Sequence, residues 1–454
     1  MDIRKIAVAA TSVAISLGLY MIGSAHAKTP ENVFQKKLSN GLDVIIVENK
    51  TVPLATVSIS AKNGGYTEPP DYNGLSHFYE HMFFKGNAVI PNQEKFHEKI
   101  KELGISYNGY TSRESVVYFF TLPKSNVNAG LKFMNDAIRT PLFDEKEIEK
   151  EKGAVLGEYD RNESSPFFHL HRAIEQKVYW KYFSRVDVIG DRNVIKTVTK
   201  KKMDVIKNKF YVPNNCALII VGDVEHNKVF NESEKLFKDW KKGEDPFKKD
   251  PIPEHPPIKK TESFIMNYPA KNPIISAKWQ GPNIGKDDKS TYALDVFFTA
   301  LNLPNSKFQK NLVDTGLASY VSMSYYSQKS AGDISLSAST TPDKIDSLKK
   351  KILEEFEKMK NKDYVSNEDI ENAKKSIEIN YLYNQENGQK YASETLGFWW
   401  NVSGLDYYFN YNENAKKVTK DDIYKSLNKY FFGKKYVMGL LINKEDQIKN
   451  NVKF

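Results

Sequence analysis

Hydrophobic and polar residues alternate in two stretches near the start of the chain, with the period of a β-strand. These stretches are "GLDVIIVEN" at 41–49 and "LATVSISAKNGG" at 54–65, and each ends in residues typical of turns. The apolar run "CALIIVG" at 216–222 predicts a buried strand. Between these strands the apolar residues recur at helical spacing, which predicts helices over 74–86, 92–103, 125–138 and 144–163.

The composition changes between residues 241 and 260, where five prolines occur without a helical or strand period. Such a segment is typical of an extended linker. The segment 198–223 aligns with 418–443 at a constant offset of 220 residues, and this internal repeat predicts a duplicated domain. The sequence therefore predicts an α+β fold of two homologous domains, 28–240 and 261–454. Each is expected to be a mainly antiparallel sheet packed with helices, and the two to face each other as a clamshell.

The first 27 residues have the pattern of a secretory signal peptide. Arg4 and Lys5 precede an apolar run, and Ala25-His26-Ala27 matches a cleavage site. The apolar run is short for a membrane span, and an uncleaved anchor is the alternative. We expect a periplasmic bacterial protein without a stable membrane anchor.

Charge and cysteine content exclude two classes of protein. The chain has 66 Lys+Arg against 57 Asp+Glu, a formal net charge of +9. The basic residues are mostly lysines interleaved with acids, as in "EKEIEKEK" at 145–152, which is typical of solvated helices and predicts no nucleic-acid partner. The single cysteine, Cys216, excludes an internal disulfide framework and lies in a strand predicted to be buried.

The strongest local signal for chemistry is the string His77-Phe78-Tyr79-Glu80-His81. Residues four apart share one face of a helix, so both imidazoles can bind one ion, and neutral imidazole is a preferred zinc ligand. Glu80 lies on the same side, where a carboxylate can act as general base toward water in peptide hydrolysis. The alternative is a chance occurrence of this string on an exposed helix.

A catalytic zinc site needs a third protein ligand, and the helix predicted over 144–163 offers Glu151 and Glu158. The two are seven residues apart, or about 10 Å along one helix face, too far to bind the same ion directly. Glu158 lies in the apolar stretch "AVLGEY" at 154–159, which is expected to bury it near the core. On spacing alone, the favoured alternative is that both glutamates are surface residues.

The sequence resembles the pitrilysin/insulinase family of zinc metallopeptidases, and within it the small two-domain bacterial branch similar to mitochondrial processing peptidase. An inverted H-x-x-E-H string is a signature of this class. The resemblance covers nearly the whole mature chain. Four segments carry it in the expected order: "NGLSHFYEHMFFKGN" at 73–87, "YNGYTSRESVVYF" at 107–119, "EKEKGAVLGEYDRNESSP" at 149–166 and "FYVPNNCALIIVGDV" at 210–224.

The resemblance implies a zinc cofactor and a role for each residue that matches the family's motifs. His77 and His81 are expected to be ligands, Glu158 the third ligand and Glu80 the general base. Glu151 matches an auxiliary glutamate, and we expect it to orient a ligand or a water.

The segment from Asn108 through Gly109 and Tyr110 to Thr111 matches the substrate-contact stretch of the family, where alanine is commoner at the second position. An extended peptide is expected to add there as an edge strand, held by main-chain hydrogen bonds. The alternative is that these four residues form only a turn and the start of a strand.

The second half departs from the family pattern. The counterpart of the metal helix is expected at 290–302, which contains no histidine, and His255 is expected to be exposed. Family members that act alone supply an arginine and a tyrosine from this domain to the substrate and the tetrahedral intermediate. Leu312 and Ser319 occupy the positions expected for that pair, with Tyr320 one residue out of register. No arginine follows Arg192, so a shifted alignment cannot restore the pair.

These departures predict a metal-bearing subunit of a split active site, whose partner is a homologous chain that supplies the arginine and tyrosine, or a second copy of this chain. The predicted function is zinc-dependent endopeptidase activity on unstructured oligopeptides inside an enclosed chamber. The alternative is a non-hydrolytic peptide-binding or scaffold subunit with a structural zinc. Glu80 argues against that alternative, because a structural site needs no base, and the missing pair argues partly for it.

Overall fold

The structure, a computed structural model, describes residues 29–454, so the predicted signal peptide lies outside the described residues. Each half of the described chain forms one sheet packed with helices. The predicted α+β architecture of two related domains is therefore confirmed. Among residues 29–454, no helix is both long enough and apolar enough to cross a membrane.

The first sheet has the strand order β1-β2-β6-β3-β5-β4, and β2–β6 is its one parallel pair. Strand β4 lies at one of the two edges and, among the described strands, pairs only with β5. The strands are β1 Val33–Lys37, β2 Asp43–Glu48, β3 Leu54–Ala61, β4 Ser106–Thr111, β5 Val116–Pro123 and β6 Cys216–Gly222. The helices are α1 Leu75–Phe83, α2 Gln93–Leu103, α3 Val127–Arg139, α4 Glu145–Glu163, α5 Pro166–Val178, α6 Arg192–Lys196, α7 Lys200–Phe210, α8 His226–Phe237 and, after this sheet, α9 Pro246–Lys249.

The second sheet has the order β7-β11-β8-β10-β9, again with one parallel pair, β7–β11. The strands are β7 Glu262–Asn267, β8 Ile274–Gln280, β9 Tyr320–Tyr326, β10 Asp333–Ser339 and β11 Val437–Ile442. The helices are α10 Asp288–Asn302, α11 Lys307–Gln309, α12 Ile345–Lys358, α13 Asn367–Tyr383, α14 Gly388–Lys390, α15 Phe398–Val402, α16 Leu405–Phe409, α17 Tyr411–Lys417, α18 Lys420–Tyr430 and α19 Lys444–Lys449. Two π-helical segments, Lys310–Asp314 and Tyr391–Gly397, follow α11 and α14.

The two sheets repeat one another. The order β2-β6-β3-β5-β4 has the same pairing directions as β7-β11-β8-β10-β9, and β1 is an addition to the first sheet. Helix α7 begins at Lys200 and α18 at Lys420, which is the offset of 220 residues found in the sequence. Each follows a threonine whose side chain accepts a hydrogen bond from the first turn, so the helix start is repeated together with the strand.

The central strand of the first sheet is buried on both faces, which explains its continuous apolar run. Leu218 and Ile220 of β6 belong to the core beneath α1 and α3, whereas Ala217, Ile219 and Val221 belong to a separate cluster on the opposite face. Every residue of β6, including the Cys216 thiol, is buried as expected.

The two halves exchange helices across their boundary, a feature that the sequence analysis does not predict. Leu170 and Ile174 of α5, from the first half, pack with Ile274 and Leu441 of the second sheet. In return, the segment 388–402 packs on the outer face of the first sheet, where Leu396 is fully buried. The packing of each sheet is thus completed by the other half.

Two expectations about the linker region are wrong. The segment 241–260 is not wholly extended, because Asp245 caps a short helix, α9. His255 is not solvent-exposed, since its ring lies between Tyr179 and Tyr182, with centroid distances of 4.7 and 6.0 Å. Pairing with aromatic rings stabilises the half-buried imidazole, which explains why a histidine in a proline-rich segment folds inward.

Candidate metal centre and peptide cleft

Helix α1 carries the H-x-x-E-H string, and its first turn is fixed from outside the helix. The Glu68 carboxyl group accepts hydrogen bonds from the main-chain N–H groups of Gly74, at 2.7 Å, and Ser76, at 2.6 Å. Gly74 has φ of 92°, and a Cβ there would lie 2.8 Å from Cα of Gly190, so only glycine fits. The helix ends at Phe83, three residues earlier than predicted. These contacts set the direction in which His77 projects.

Three side chains converge beside α1. His77 Nε2 and His81 Nε2 are 3.2 Å apart, and Glu158 Oε2 lies 3.7 Å from the first and 3.5 Å from the second. Ligand atoms bound at the usual zinc distances in a tetrahedron are about 3.3 Å apart, so these residues fit a zinc ion. Within residues 29–454, this is the one group of three His, Cys, Asp or Glu side chains close enough to hold a metal.

Glu151 contacts the Nδ1 nitrogen of His81, whereas Glu158 lies near the Nε2 nitrogens of both histidines. Glu151 Oε1 lies 2.7 Å from His81 Nδ1, and Lys85 Nζ lies 2.5 Å from the other Glu151 oxygen. Glu151 thereby turns the opposite nitrogen of His81 toward Glu158. Glu158 is less buried than expected, with 29% of its side chain exposed, because it faces an open cleft rather than the core.

The metal-free ligands have divergent proton affinities. Burial, together with the neighbouring His81, lowers the pKa of His77 to about 4. Burial also acts to lower the pKa of His81, but its hydrogen bonds with Glu151 and Glu158 outweigh that effect and raise the pKa to about 9. The hydrogen bond with His81 in turn lowers the pKa of Glu158. In the metal-free chain, His81 is therefore protonated at neutral pH, and its positive charge replaces part of the charge that a bound metal ion would supply.

Glu80 is held beside this group by strand β4. Thr111 Oγ1 donates a hydrogen bond of 2.8 Å to Glu80 Oε2, and burial raises the pKa of Glu80. A Cβ at Gly109 would lie 3.1 Å from Glu80 Cγ and 3.2 Å from the ring of Tyr118. Glycine at this position thus leaves room for the Glu80 side chain next to the main chain of β4.

The four residues expected to contact substrate all lie in β4, so they form a strand rather than a turn. Asn108 Oδ1 accepts a hydrogen bond from the N–H of Gly109, at 3.0 Å. The Tyr110 hydroxyl donates a hydrogen bond of 2.8 Å to the carbonyl of Ser393, in the second half, and so is already engaged. A cleft of about 610 Å³ lies between this strand, α1 and α4.

Two contacts of the site escape the sequence analysis. Lys85 lies in the turn after α1, but it follows His81 by four residues within the helix predicted over 74–86, and this spacing is the signal that would have found its contact with Glu151. Ser393 has no comparable signal, because it lies 283 residues from Tyr110.

The counterparts in the second half carry no such chemistry. Helix α10 lies between β8 and β9, as α1 lies between β3 and β4, and it has no histidine. Leu312 is fully buried in the core of the second half. The Ser319 hydroxyl bonds to the carbonyl of Ser339, at 3.1 Å, and the Tyr320 hydroxyl lies 2.9 Å from Ser337 Oγ.

The paired sheets and the His-His-Glu group define a chain of the metallopeptidase class. The chain belongs to the insulinase family of peptidases, M16. The family model described as "Insulinase (Peptidase family M16)" matches residues 43–182, and that described as "Peptidase M16 inactive domain" matches residues 197–377. Zinc is the cofactor of this family, and the resemblance drawn from the four sequence segments is confirmed.

Similar proteins support this assignment along most of the chain. An uncharacterised zinc protease of Rickettsia felis is 28% identical over 405 residues, covering 88% of this chain and 95% of that protein. A probable mitochondrial-processing peptidase subunit beta of Arabidopsis thaliana is 29% identical over 204 residues, covering 44% of this chain and 38% of that protein. A crystal structure of a protease from Helicobacter pylori superposes with a TM-score of 0.81 at 22% identity, covering 90% of this chain and 99% of that one. At that identity the superposition shows the fold alone.

Proposed function

We propose that this chain is a zinc-dependent endopeptidase that hydrolyses unstructured oligopeptides. The observation that carries the proposal is the convergence of His77, His81 and Glu158 beside the hydrogen-bonded carboxylate of Glu80. A structural zinc site closes with four protein ligands and needs no base, whereas this group has three ligands and opens to a cleft next to a strand edge.

Each residue of the site then has a defined task. Zinc held by the three ligands would lower the pKa of a water molecule and polarise the scissile carbonyl. Glu80 takes a proton from the water and later gives it to the leaving amine, and its raised pKa brings it nearer to neutral pH, where such transfer is efficient. The free edge of β4 binds the peptide main chain as an added strand.

Peptide cleavage in a Glu80→Gln variant tests this assignment. The mature chain, loaded with zinc and supplied with any partner it requires, is mixed with a quenched fluorescent oligopeptide. Glu80→Gln should keep the zinc and lose cleavage by about a hundredfold or more, because the amide cannot accept the proton. The matched control is Glu149→Gln, which removes an exposed carboxylate that pairs only with Lys152. Equal turnover by Glu80→Gln and the wild type would contradict the proposal.

We further infer that the active site is split between this chain and a homologous subunit. The positions expected for arginine and tyrosine hold Leu312, which is buried, and Ser319, and the chain has no arginine beyond Arg192. A developing oxyanion needs such donors, and Lys310 does not reproduce the planar fork of a guanidinium. A homologue named as a beta subunit is in keeping with this arrangement, and a second copy of this chain is the alternative.

Mixing experiments distinguish these arrangements. The chain is assayed alone, at a concentration range that spans self-association, and with a homologous chain that has the arginine and tyrosine but no H-x-x-E-H string. Light scattering gives the mass of each species. Turnover that appears only in the mixture supports a split site, and turnover that follows self-association supports a second copy. Full turnover by the monomer would contradict both.

The structural-zinc alternative is favoured by one observation, the replacement of the expected arginine by buried Leu312. In that case the chain binds peptides at β4 without cutting them. Zinc removal would then unfold the chain or loosen α1, whereas the catalytic proposal expects the metal-free protein to keep its fold.

The location proposed for this activity is the periplasm, and the second domain is proposed to form the other wall of an enclosed chamber. Export is inferred from the sequence of residues 1–27 alone. These residues contain, in order, a basic start, an apolar run and the cleavage-site match Ala25-His26-Ala27. Fractionation of cells that produce the full-length chain, with sequencing of the mature N-terminus, tests the proposal; a cytoplasmic protein that retains Met1 would contradict it.

A further inference from the structure

The substrate strand β4 is anchored on one side only within its own sheet. It pairs with β5 along Ser106–Thr111, and no strand within residues 29–454 pairs with its outer edge. An edge strand that must bind a peptide keeps its outer main-chain groups free and cannot be held by pairing on that side. Its position must therefore depend on contacts at its ends and through its side chains.

The turn that follows β4 is buried between the two halves. Arg113 of this turn forms an ion pair with Glu175 of α5 and another, at 2.9 Å, with Asp333 of β10. Lys278 of β8 completes this group, with its ammonium 3.0 Å from Glu175 and 3.2 Å from Asp333. All four side chains are buried, so the group joins both halves where water does not compete.

Glu114 makes a second anchor next to the first. Its two carboxylate oxygens accept hydrogen bonds from the main-chain N–H groups of Lys329, at 2.8 Å, and Ser330, at 2.6 Å, in the turn between β9 and β10. Glu114 is almost fully buried. Two parallel charge-assisted hydrogen bonds fix both distance and orientation.

A third anchor starts within β4 itself. The Tyr110 hydroxyl donates to the carbonyl of Ser393, in the π-helical segment that packs on the first sheet. The next residue, Thr111, holds Glu80 at 2.8 Å, so a shift of β4 changes the position of the proposed base.

We propose that the second half positions the substrate strand and Glu80 through Tyr110, Arg113 and Glu114, in place of supplying catalytic groups. The binding of a peptide at β4 rests on the proposed function, but the anchoring of β4 by the second half can be tested without peptide cleavage. Arg113 and Glu114 are positioning residues, since their described partners lie in α5 and the second half and not among the metal ligands. Tyr110 lies on β4 beside the cleft, and it is its hydroxyl, bonded to Ser393, that has the positioning role.

The test uses the full mature chain in a Glu80→Gln background, so that bound peptide is not cut. Hydrogen exchange of residues 106–111 is followed by mass spectrometry, and binding of a fluorescent extended peptide by anisotropy. Tyr110→Phe and Glu114→Gln should accelerate exchange in β4 and weaken peptide binding about three- to tenfold, as expected for the loss of one hydrogen bond.

Ser60→Ala is the matched control. The Ser60 hydroxyl also bonds across the two halves, to the carbonyl of Gly397 at 3.1 Å, but it lies on β3, and β5 separates β3 from β4. This variant should leave exchange and binding within about twofold, because its contact does not reach β4.

Three results would overturn the proposal: unchanged exchange of β4 in both folded test variants, unchanged peptide binding despite faster exchange, or an equal effect of Ser60→Ala. If Glu114→Gln does not fold, Tyr110→Phe decides. If the parent chain binds no peptide even when supplied with any partner it requires, the proposed function fails, while the exchange data still decide whether the second half anchors β4.

Discussion

Helices α1 and α10 occupy the same place in the two repeated sheets and perform different tasks. Helix α1 follows β3 and α10 follows its counterpart β8, and both turn most of their side chains into the core. On α1 the remaining face presents His77, Glu80 and His81 to the cleft. On α10 the Asp295 carboxylate contacts the hydroxyl of Tyr411, at 2.6 Å, and no histidine is present. The fold therefore needs the packing of this helix but not its chemistry.

The same contrast holds at the strand edges. The first edge, β4, places Thr111 against Glu80, whereas the counterpart β9 alternates buried Val321 and Met323 with outward Tyr320 and Ser322. The turn after β4 sends the Glu114 carboxylate into the other half, and the turn after β9 binds it with two main-chain N–H groups. The first half thus carries the reactive side chains, and the second half carries main-chain groups that hold the turn next to them in place.

The largest effect is expected from an attempt to restore the missing arginine. Leu312→Arg places a guanidinium at a fully buried position inside the core of the second half. Since it is costly to bury a charge inside an apolar cluster, we expect a loss of at least about 3 kcal/mol of stability or failure to fold. Thermal unfolding followed by circular dichroism measures the change.

Lys310→Arg is the control for that substitution. Lys310 is exposed in the same π-helical segment, so its replacement should leave the unfolding midpoint unchanged. A Leu312→Arg chain as stable as the wild type would contradict this expectation and would show that the core at Leu312 accommodates a guanidinium.

The next largest effect is a difference in zinc affinity between variants of His77, on α1, and of His255, in the linker. His77→Ala removes a ligand, and zinc affinity should fall by more than about a hundredfold, beyond the loss typical of residues that only support ligands. His255→Ala removes an imidazole that packs on Tyr179 and should leave affinity unchanged. Competition with a chromophoric chelator measures both. Similar affinities for the two variants would exclude the proposed metal centre.

Sequence information was sufficient for the local parts of this comparison. The strands around β3 and β6, the helices and the 220-residue repeat follow from apolar spacing and from matching segments, because those signals are local or repeated. The His77–His81 spacing likewise predicts the shared face on which the structure places both rings. The exchange of α5 and of residues 388–402 has no local signal, because amphipathic spacing shows that a face is buried but not which sheet covers it.

A smaller effect is expected from the residue that supports His81. Glu151→Gln keeps an oxygen for His81 Nδ1 but removes the negative charge between His81 and Lys85. Zinc affinity should fall by about ten- to a hundredfold, as for other supporting residues, with the fold intact. Glu149→Gln, which lies on the same helix and faces solvent, is the matched control for loss of charge. An unchanged affinity in Glu151→Gln would show that Glu151 does not orient the ligand.

Zinc binding should also depend on pH, in a way that only the α1 site can produce. In the metal-free chain, His81 has its pKa raised to about 9 and His77 has its pKa lowered to about 4. At pH 7 His81 therefore carries a proton that zinc must displace, and His77 carries none. Affinity should rise about tenfold per pH unit up to about pH 9 and then level off.

The sign of the accompanying stability change follows from the same shift. The pKa of His81 is higher in the folded chain than in the unfolded chain, so its contribution to the stability of the metal-free protein is fully present below about pH 6.5 and is lost as the pH rises through about 9. Calorimetric titration with zinc in two buffers of different ionisation enthalpy should show release of one proton per ion at pH 7. Glu151→Gln should reduce this release, because it removes a partner that holds the proton on His81. A binding enthalpy that is identical in both buffers would mean that no proton leaves His81, and the site would then be already arranged for zinc without the ion pair seen at Glu151.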